Sequence, residues 1–312
     1  MDLNKISSKI KHKAIDNGFD LCGIAKPEKT DSVDKLDDWI NNGYHATMVW
    51  IENRKEERKN IFKYFPKVKS VISLGYNYYT GENELSSDQY KISNYAWGED
   101  YHLVIKKKLY QIIEYIKTIK PEFQFRVCVD TSPISEKYWA QKSGIGWIGK
   151  HTNLINDDIG SWFFLAEILI DFELAYDKPF VLDLCGTCTK CIEACPTDAI
   201  VEEYQLDSNK CISYLTIEHR ENIPDHLSGK LDNWIYGCDI CQQVCPWNKK
   251  FHIISNDLQF QMRPEIKNMS NLDWEQLDEE DYKRIFKKSA IKRTKFKGLS
   301  RNINLNKFKK EQ

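Results

Sequence analysis

The sequence has no hydrophobic run long enough to cross a membrane. Its longest apolar stretch, WFFLAEILI, spans only residues 162–170, whereas a membrane-spanning helix needs about 20 apolar residues. We therefore predict that this stretch forms a buried strand. The beginning of the chain, MDLNKISSKIKHK, also lacks the apolar segment and small-residue cleavage site of a secretory signal peptide. These absences, with no sign of disulfide use, lead us to expect a cytoplasmic protein.

The chain also lacks an excess of charge of either sign, since its formal net charge is −1 over 312 residues. The charge is nevertheless unevenly distributed, because the segment from Lys283 to Lys310 contains twelve Lys or Arg residues and no acidic residue. A basic surface of this kind can bind an anionic polymer even when the whole chain is neutral. The alternative interpretation is a solvated, poorly ordered tail.

Cysteine is frequent, and eight of the ten cysteines fall in or near two blocks. The first block has the C-x2-C-x2-C-x3-C-P spacing, in which three thiolates hold one iron–sulfur cubane and the fourth holds a second. It consists of Cys185, Cys188, Cys191 and Cys195, followed by Pro196. The second block, Cys238, Cys241 and Cys245 before Pro246, lacks one cysteine of the full run, and Cys211 is its natural replacement.

These cysteines predict two [4Fe–4S] clusters with crossed ligation. The first cluster would be held by Cys185, Cys188, Cys191 and Cys245, and the second by Cys195, Cys211, Cys238 and Cys241. A zinc ribbon is the alternative, but zinc explains neither the third cysteine of the first block nor the two Cys-Pro endings. The remaining two, Cys22 and Cys128, lie in apolar stretches and are interpreted as buried free cysteines.

Residues 1–180 alternate between helical and strand patterns, which favours an α/β (α+β) domain with a layered sheet. Strands are predicted at 21–25, 70–79, 123–130 and 161–170, and a helix from Tyr101 to Ile119. A further helix is expected to open at Pro133, and Asp31 or Ser32 to cap another. We predict three parts: an α/β catalytic domain at 1–180, a two-cluster ferredoxin-like domain at 181–250, and a short helical, basic segment at 251–312.

Asp130 is the candidate catalytic residue that the residue pattern itself suggests. It ends a predicted strand, where ligand sites of open α/β sheets gather, and a glycine-punctuated loop, GIGWIGKHTN, follows it. The alternative role is structural, because an aspartate before Thr-Ser-Pro also suits a helix cap or a turn. The loop matches neither the dinucleotide-binding nor the P-loop glycine pattern.

Longer motifs resemble the epoxyqueuosine reductases of the tRNA queuosine pathway, and the likeness extends from the N-terminus to about Leu305. The segments that carry it are GEDYHLVIKKKL at 98–109, DTSPISEKYWAQKSGIGWIGKHT at 130–152, CGTCTKCIEACPTDAI at 185–200, KCISYLTIE at 210–218 and IYGCDICQQVCPWNK at 235–249. The combination of the cysteine blocks with DTSP and GWIGK is specific, because generic ferredoxins share only the cysteines.

The resemblance implies a base-off cobalamin held in the α/β domain beside the first cluster, and reduction of the epoxide of epoxyqueuosine at the wobble position of a tRNA. Electrons would pass from an external low-potential donor through the two clusters to cobalamin. The family's proton donor falls on Asp130, provided that burial raises its pKa into the working range. By motif position the cofactor contacts fall on Arg58, Ser93, Leu154, Leu165, Tyr214, Cys238 and Asp239, with Tyr101, His102 and Lys150 in matching motifs nearby.

The resemblance also leaves alternatives. Longer members of the family continue into a helical-repeat domain that helps to hold tRNA, and this sequence resembles a short form in which tRNA affinity would rest on the main body and the basic segment. Another corrinoid iron–sulfur reductase, similar to the reductive dehalogenases, would share much of this layout. A non-catalytic electron-transfer ferredoxin is the alternative from a different class. We expect a monomer.

Overall fold

The structure is a computed structural model that describes residues 2–30, 33–81 and 88–310. Its strands are β1 (Leu21–Ala25), β2 (Ser70–Asn77), β3 (Lys91–Ile92), β4 (Phe125–Cys128), β5 (Trp147–Ile148), β6 (Leu154–Ile155), β7 (Phe163–Ile170), β8 (Ile200–Glu202), β9 (Gln205–Leu206) and β10 (Trp234–Tyr236). Within these ranges no helix is both long and apolar enough to span a membrane.

The helices in the first half of the chain are α1 (Leu3–Asp16), α2 (Val33–Asn41), α3 (Val49–Asn53), α4 (Lys55–Lys59), α5 (Ile61–Tyr64), α6 (Tyr101–Ile119) and α7 (Glu136–Lys142). Those in the second half are α8 (Lys190–Glu193), α9 (Ile212–Ile217), α10 (Asp225–Ser228), α11 (Ile240–Gln243), α12 (Pro246–Phe251), α13 (Pro264–Asn268), α14 (Asn271–Glu275), α15 (Glu279–Ile285) and α16 (Lys295–Lys310). Short 3-10 helices occupy Asn94–Ala96 and Ala290–Thr294.

A four-stranded antiparallel sheet, in the order β1-β2-β7-β4, forms the centre of the first half. Because successive side chains of a strand point to opposite faces, Ile72 and Ile168 pack with α1 and α6, while Val71 and Leu169 pack with α5 and α7. Both faces of the sheet are thus covered, and its two central strands are buried along almost their whole length. The layered α/β fold is confirmed.

Close packing of the sheet against α7 depends on one glycine. A Cβ atom at Gly23 of β1 would lie 2.2 Å from the carbonyl oxygen of Ser143, at the C-terminal end of α7. A side chain there would push α7 away from the sheet. Since α7 begins beside Asp130, this contact also fixes the wall of the site.

Some local predictions differ from the structure. The helix expected from Pro133 begins at Glu136, because Asp130 to Ile134 form tight turns with backbone hydrogen bonds from Thr131 to Val129 and from Ile134 to Ser132. The sheet is antiparallel, so the strand-edge rule for parallel α/β sheets does not account for the position of Asp130. The predicted cap at Asp31 or Ser32 lies outside the described residues.

The basic segment is folded onto the body of the protein. Its apolar side chains Phe286, Ile291, Leu299 and Ile303 are buried in one core with residues of β3 and β10. The interpretation as a poorly ordered tail is therefore wrong.

Contacts link the three predicted parts of the chain. Strand β3, from the first part, pairs in parallel with β10, from the second, and both contribute to the core that holds the basic segment. The division at residues 180 and 250 stays a prediction.

Candidate active site

A cavity of about 420 Å³ lies between the sheet domain and the cysteine-rich region. Its acidic and basic wall contains Asp130, Glu136 and Lys137. Its apolar wall includes Leu154, Phe163 and Leu165, and its far wall carries four cysteines: Cys195, Cys211, Cys238 and Cys241. Acid–base groups and potential cluster ligands therefore face the same space.

Asp130 is held in a strained turn directly after β4. Its φ of 57° lies in the left-handed region, which aspartate tolerates better than most residues. Its backbone N–H donates to Glu136 Oε1 at 2.6 Å, and its carboxylate Oδ2 lies 2.9 Å from the Tyr101 hydroxyl and 3.3 Å from His102 Nε2. The carboxylate thus bonds to α6 and does not cap α7, whose N-cap is Ser135.

The surroundings of Asp130 favour its charged form. Burial alone would raise the pKa of Asp130, but the hydrogen bond and positive charge of His102, the Tyr101 hydroxyl and Arg293 outweigh it, so the pKa lies below its usual value. The expectation that burial raises this pKa is therefore wrong. Protein surrounds the residue, yet 61% of its side-chain surface remains accessible because it faces the cavity.

His102 carries the positive charge that faces the Asp130 carboxylate. Burial lowers its pKa, but hydrogen bonds and attraction from Asp100 and Asp130 raise the pKa to about 9 overall. His102 Nδ1 lies 2.8 Å from Asp100 Oδ1, so each ring nitrogen faces a carboxylate. At neutral pH the pair of His102 and Asp130 holds one proton, and that proton resides on the imidazole.

The block cysteines interact electrostatically with one another, mostly within the two predicted ligand sets, although Cys241 also interacts with Cys191 of the other set. Burial is the main cause that raises the pKa of Cys191, to about 11, and nearby Cys185 and Cys245 add to it. Burial likewise raises the pKa of Cys211 and Cys238, with added repulsion from Cys195 acting on Cys211, and from Cys241 and Cys211 acting on Cys238. These interactions place the thiols in one region, and their division into two ligand sets stays a prediction.

The second set is the one that borders the cavity. Cys185, of the first set, instead accepts the indole N–H of Trp147 at 3.5 Å. The expected place of the cofactor beside the first cluster stays a prediction. Cys195, of the second set, accepts the backbone N–H of Ala199 at 3.3 Å. Backbone donors to sulfur are expected where a thiolate must be stabilised.

The candidate cofactor contacts divide into two groups. Those that line the cavity are Ser93, Tyr101, Asp130, Leu154, Leu165 and Cys238. Arg58 lies behind the wall and donates to the carbonyl of Ile134 at 3.0 Å, and Asp239 is buried, with its carboxylate accepting from Ser93 and from the backbone of Asn94. Burial raises the pKa of Asp239 to about 6.

Two candidates lie farther from the cavity wall. The ammonium of Lys150 donates to the carbonyl of Gly186 and to Glu203, each at 2.6 Å, and so supports the loop of the first cysteine block. The hydroxyl of Tyr214 lies 2.7 Å from Thr47 Oγ1. For these two residues the described contacts indicate a supporting role.

Among the residues that sequence reasoning missed on the cavity wall are three with acidic or basic side chains: Glu136, Lys137 and His151. Lys137 donates to the carbonyl of Thr152 at 2.8 Å. The backbone N–H of Asn153 donates to His151 Nδ1, and burial followed by repulsion from Lys137 lowers the pKa of His151 to about 4. The ring is therefore neutral with its proton on Nε2, which has no partner in the described part of the chain.

The α/β fold, a cavity shared by acid–base residues and the second set of thiols, and a further set of thiols outside that cavity are features of an iron–sulfur oxidoreductase. The sequence model described as "4Fe-4S double cluster binding domain" matches residues 184–248, which favours clusters over zinc, and "Epoxyqueuosine reductase QueG, DUF1730" matches residues 58–131. Over 301 residues the chain is 46% identical to the epoxyqueuosine reductase of Cellulophaga algicola, covering 96% of this chain and 97% of the relative. The chain belongs to the epoxyqueuosine reductase family.

Further relatives agree with this assignment. The epoxyqueuosine reductase of Cyclobacterium marinum is 44% identical, with 97% of each chain covered. A solved structure of epoxyqueuosine reductase with an epoxyqueuosine-modified tRNA-Tyr stem loop has a TM-score of 0.89 and 28% identity, covering 97% of this chain and 80% of that chain. The structure of epoxyqueuosine reductase from Bacillus subtilis has a TM-score of 0.86 and 26% identity, with 97% and 81% covered.

Proposed function

We propose that this protein reduces the epoxide of epoxyqueuosine, at the wobble position of a tRNA anticodon, to the cyclopentene-diol of queuosine. Removal of the epoxide oxygen as water consumes two electrons and two protons. The observation that carries the proposal is that Asp130 faces the same cavity as the four thiols of the second set. Two [4Fe–4S] clusters that relay single electrons from an external donor to cobalamin would supply the reducing chemistry.

The residues of the cavity fit a cobalamin. Its apolar wall of Leu154, Phe163 and Leu165 suits the face of a large macrocycle, and corrins carry peripheral carboxamides that need hydrogen-bond donors. His151 Nε2–H is a buried donor without a partner among the described residues, and an unsatisfied buried donor costs about 1–3 kcal/mol unless a ligand accepts its hydrogen bond. We infer that His151, Ser93 and Cys238 join the apolar wall in holding the cofactor.

Asp130 would deliver the proton to the substrate oxygen. In the ground state it is a carboxylate beside a protonated His102, so His102 would supply the proton and Asp130 would transfer it. Tyr101 fixes the carboxylate, since its ring stacks on Phe164 at 4.3 Å between centroids. The left-handed backbone of Asp130 adds strain, which is typical of functional positions.

The tRNA would bind beside the cavity, on the basic segment. Arg293 contributes to the charged state of Asp130, which places this segment near the cavity. Part of its charge is neutralised, because Arg293 pairs with Glu218 at 2.7 Å, and Lys283, Arg284 and Lys307 also form ion pairs. Within this segment, five exposed lysines form no ion pair with any described residue: Lys287, Lys288, Lys292, Lys295 and Lys297.

The experiment that tests the function is anaerobic incubation of the cluster-loaded protein with cobalamin, a low-potential reductant and epoxyqueuosine-containing tRNA. Mass analysis of the nucleosides should show loss of one oxygen atom from epoxyqueuosine. Omission of cobalamin should abolish the conversion. A protein that reduces an artificial electron acceptor but leaves epoxyqueuosine intact, with or without cobalamin, would instead be an electron carrier. Gel filtration of the same protein tests the proposed monomer.

A further inference from the structure

Glu136 connects the turn of Asp130 to the wall of the cavity. It is the first residue of α7 and lines the cavity, and its Oε1 accepts the backbone N–H of Asp130 at 2.6 Å. Its carboxyl group also interacts electrostatically with the carboxylate of Asp130. Two carboxyl groups thus adjoin one reaction space, and a backbone hydrogen bond holds one beside the other.

The charges around Glu136 are mixed. Groups whose negative charge would disfavour its ionisation are Asp130, Glu167, Cys128 and Tyr101, and the cationic groups that favour it are Arg58, His102 and Lys137. Burial is the largest influence, followed by repulsion from Asp130, and together they raise the pKa of Glu136 to about 8. Glu136 is therefore protonated at neutral pH, while Asp130 is charged.

We propose that Glu136 stores the second proton of the reaction and passes it to Asp130, an inference that rests on the proposed function. The external reductant supplies two electrons, both C–O bonds of the epoxide break, and a C=C bond forms. The first proton reaches the departing oxygen from His102 through Asp130. Glu136 then gives its proton to the vacated Asp130 carboxylate, which delivers it, and the oxygen leaves as water. Solvent in the open cavity then reprotonates both His102 and Glu136, which restores the resting state.

This assignment explains why one site holds two acids with different proton affinities. The pair of His102 and Asp130 holds one proton and Glu136 holds the other, so the resting site carries both protons that the reaction consumes. Glu136 acts through Asp130 and is therefore a proton-supplying residue, not one that contacts the reacting atoms. Its effect should appear in the pH dependence of turnover and not in substrate affinity.

Glu136→Gln tests the proposal, because the amide keeps an acceptor for the Asp130 N–H but carries no acidic proton. We expect kcat to fall by about 10- to 100-fold, the scale of a lost acid, while KM for the tRNA is unchanged. The activity of the parent should decline as pH rises through about 8, where Glu136 loses its proton. The activity of the variant should decline only at about pH 9, where His102 loses its proton. Glu136→Asp should restore the decline at lower pH.

An infrared pH titration of the cluster-loaded protein without cobalamin gives a readout that is independent of activity. The parent should show a carboxylic-acid C=O band that disappears as pH rises through about 8, and Glu136→Gln should lack this titrating band. Equal cluster absorbance in parent and variants controls for folding. An unchanged pH profile in Glu136→Gln, or a titrating band identical to that of the parent, overturns the proposal. Failure of the proposed function appears differently, as a parent that forms no queuosine while the band still titrates.

Discussion

Tyr101 donates a hydrogen bond from its hydroxyl to Asp130 Oδ2 at 2.9 Å. Tyr101 is the first residue of α6, so the carboxylate lies near the N-terminal end of a long helix, where the helix dipole favours negative charge. The same helix supplies His102, which adds a full positive charge. The position of Asp130 against α6 therefore explains why its carboxylate is charged in a site whose other walls are largely apolar.

Replacement of the carboxylate tests the proton-transfer role. Asp130→Asn should lower single-turnover reduction of epoxyqueuosine by at least ~10²-fold, because general acid catalysis typically contributes 10²–10⁴-fold. Cobalamin binding and cluster absorbance, measured on the same sample, should be unchanged. A variant that turns over at the parent's rate would show that Asp130 is only a turn residue.

The raised pKa of His102 predicts a pH-dependent contribution to stability. Its folded-state pKa of about 9 exceeds the unfolded value of about 6.5, so its contribution is complete below the unfolded pKa and is lost as pH rises through the folded pKa. His102→Gln should therefore destabilise the protein by roughly 1–2 kcal/mol at neutral pH, a figure reduced for partial solvent screening. Denaturant unfolding over a pH series should show the difference from the parent vanishing at high pH.

Removal of Cys211 tests the crossed ligation of the clusters. Cys211→Ser should damage the second cluster and leave the EPR signal of the first largely intact, because Cys211 lies among the thiols of the second set. Iron analysis should show a partial loss. A Cys22→Ser variant is the matched control, since Cys22 is a partly buried thiol on the edge of the hydrophobic core. Loss of both signals in Cys211→Ser alone, with an intact fold, would contradict separate ligand sets.

The exposed lysines of the basic segment should control tRNA affinity. Replacing Lys288, Lys292, Lys295 and Lys297 by Gln should weaken tRNA binding and reduce its dependence on salt, because each phosphate contact releases counterions. Arg293 is left unchanged, since its pairing with Glu218 would confuse the result. Reduction of cobalamin by the clusters should not change.

The matched control for this variant replaces four exposed lysines elsewhere. Lys5 and Lys9 lie on α1, and Lys67 and Lys69 lie just before the first residue of β2. The other end of β2 is Asn77, whose side chain donates to the carbonyl of Ile253, after α12. Their replacement should leave tRNA affinity close to the parent's. Equal salt dependence in both quadruple variants would place tRNA binding on another surface.

Replacement of the buried Glu167 by an apolar residue is expected to stabilise the protein. It is fully buried in the middle of β7, and no described residue hydrogen-bonds either carboxyl oxygen. Burial, with Glu136 nearby, raises its pKa well above the ordinary value, so the group costs stability once pH rises above its unfolded pKa. Glu167→Met should stabilise the protein by about 1–3 kcal/mol at neutral pH, the cost of an unsatisfied buried polar group, and the gain should shrink toward acid pH in urea unfolding.

The sequence by itself determined those features that depend on local spacing. The helical period of α6 predicted its bounds from Tyr101 to Ile119, and the hydrophobic runs predicted β1 and β7. The cysteine blocks indicated iron–sulfur clusters because ligands a few residues apart can meet on one loop whatever surrounds them. The motifs around Asp130 indicated the family because they, too, are short runs of neighbouring residues that can be read without knowledge of the fold.

The tertiary structure alone decided the properties that depend on distant residues. The charge state of Asp130 follows from His102 and Arg293, far away in sequence, and burial at the start of α7 keeps the carboxyl group of Glu136 protonated at neutral pH. Likewise the basic segment is neutralised in part by Glu218 and packs onto β3 and β10. Burial and the distance between charges set these quantities, and both arise only when segments remote in the chain pack together.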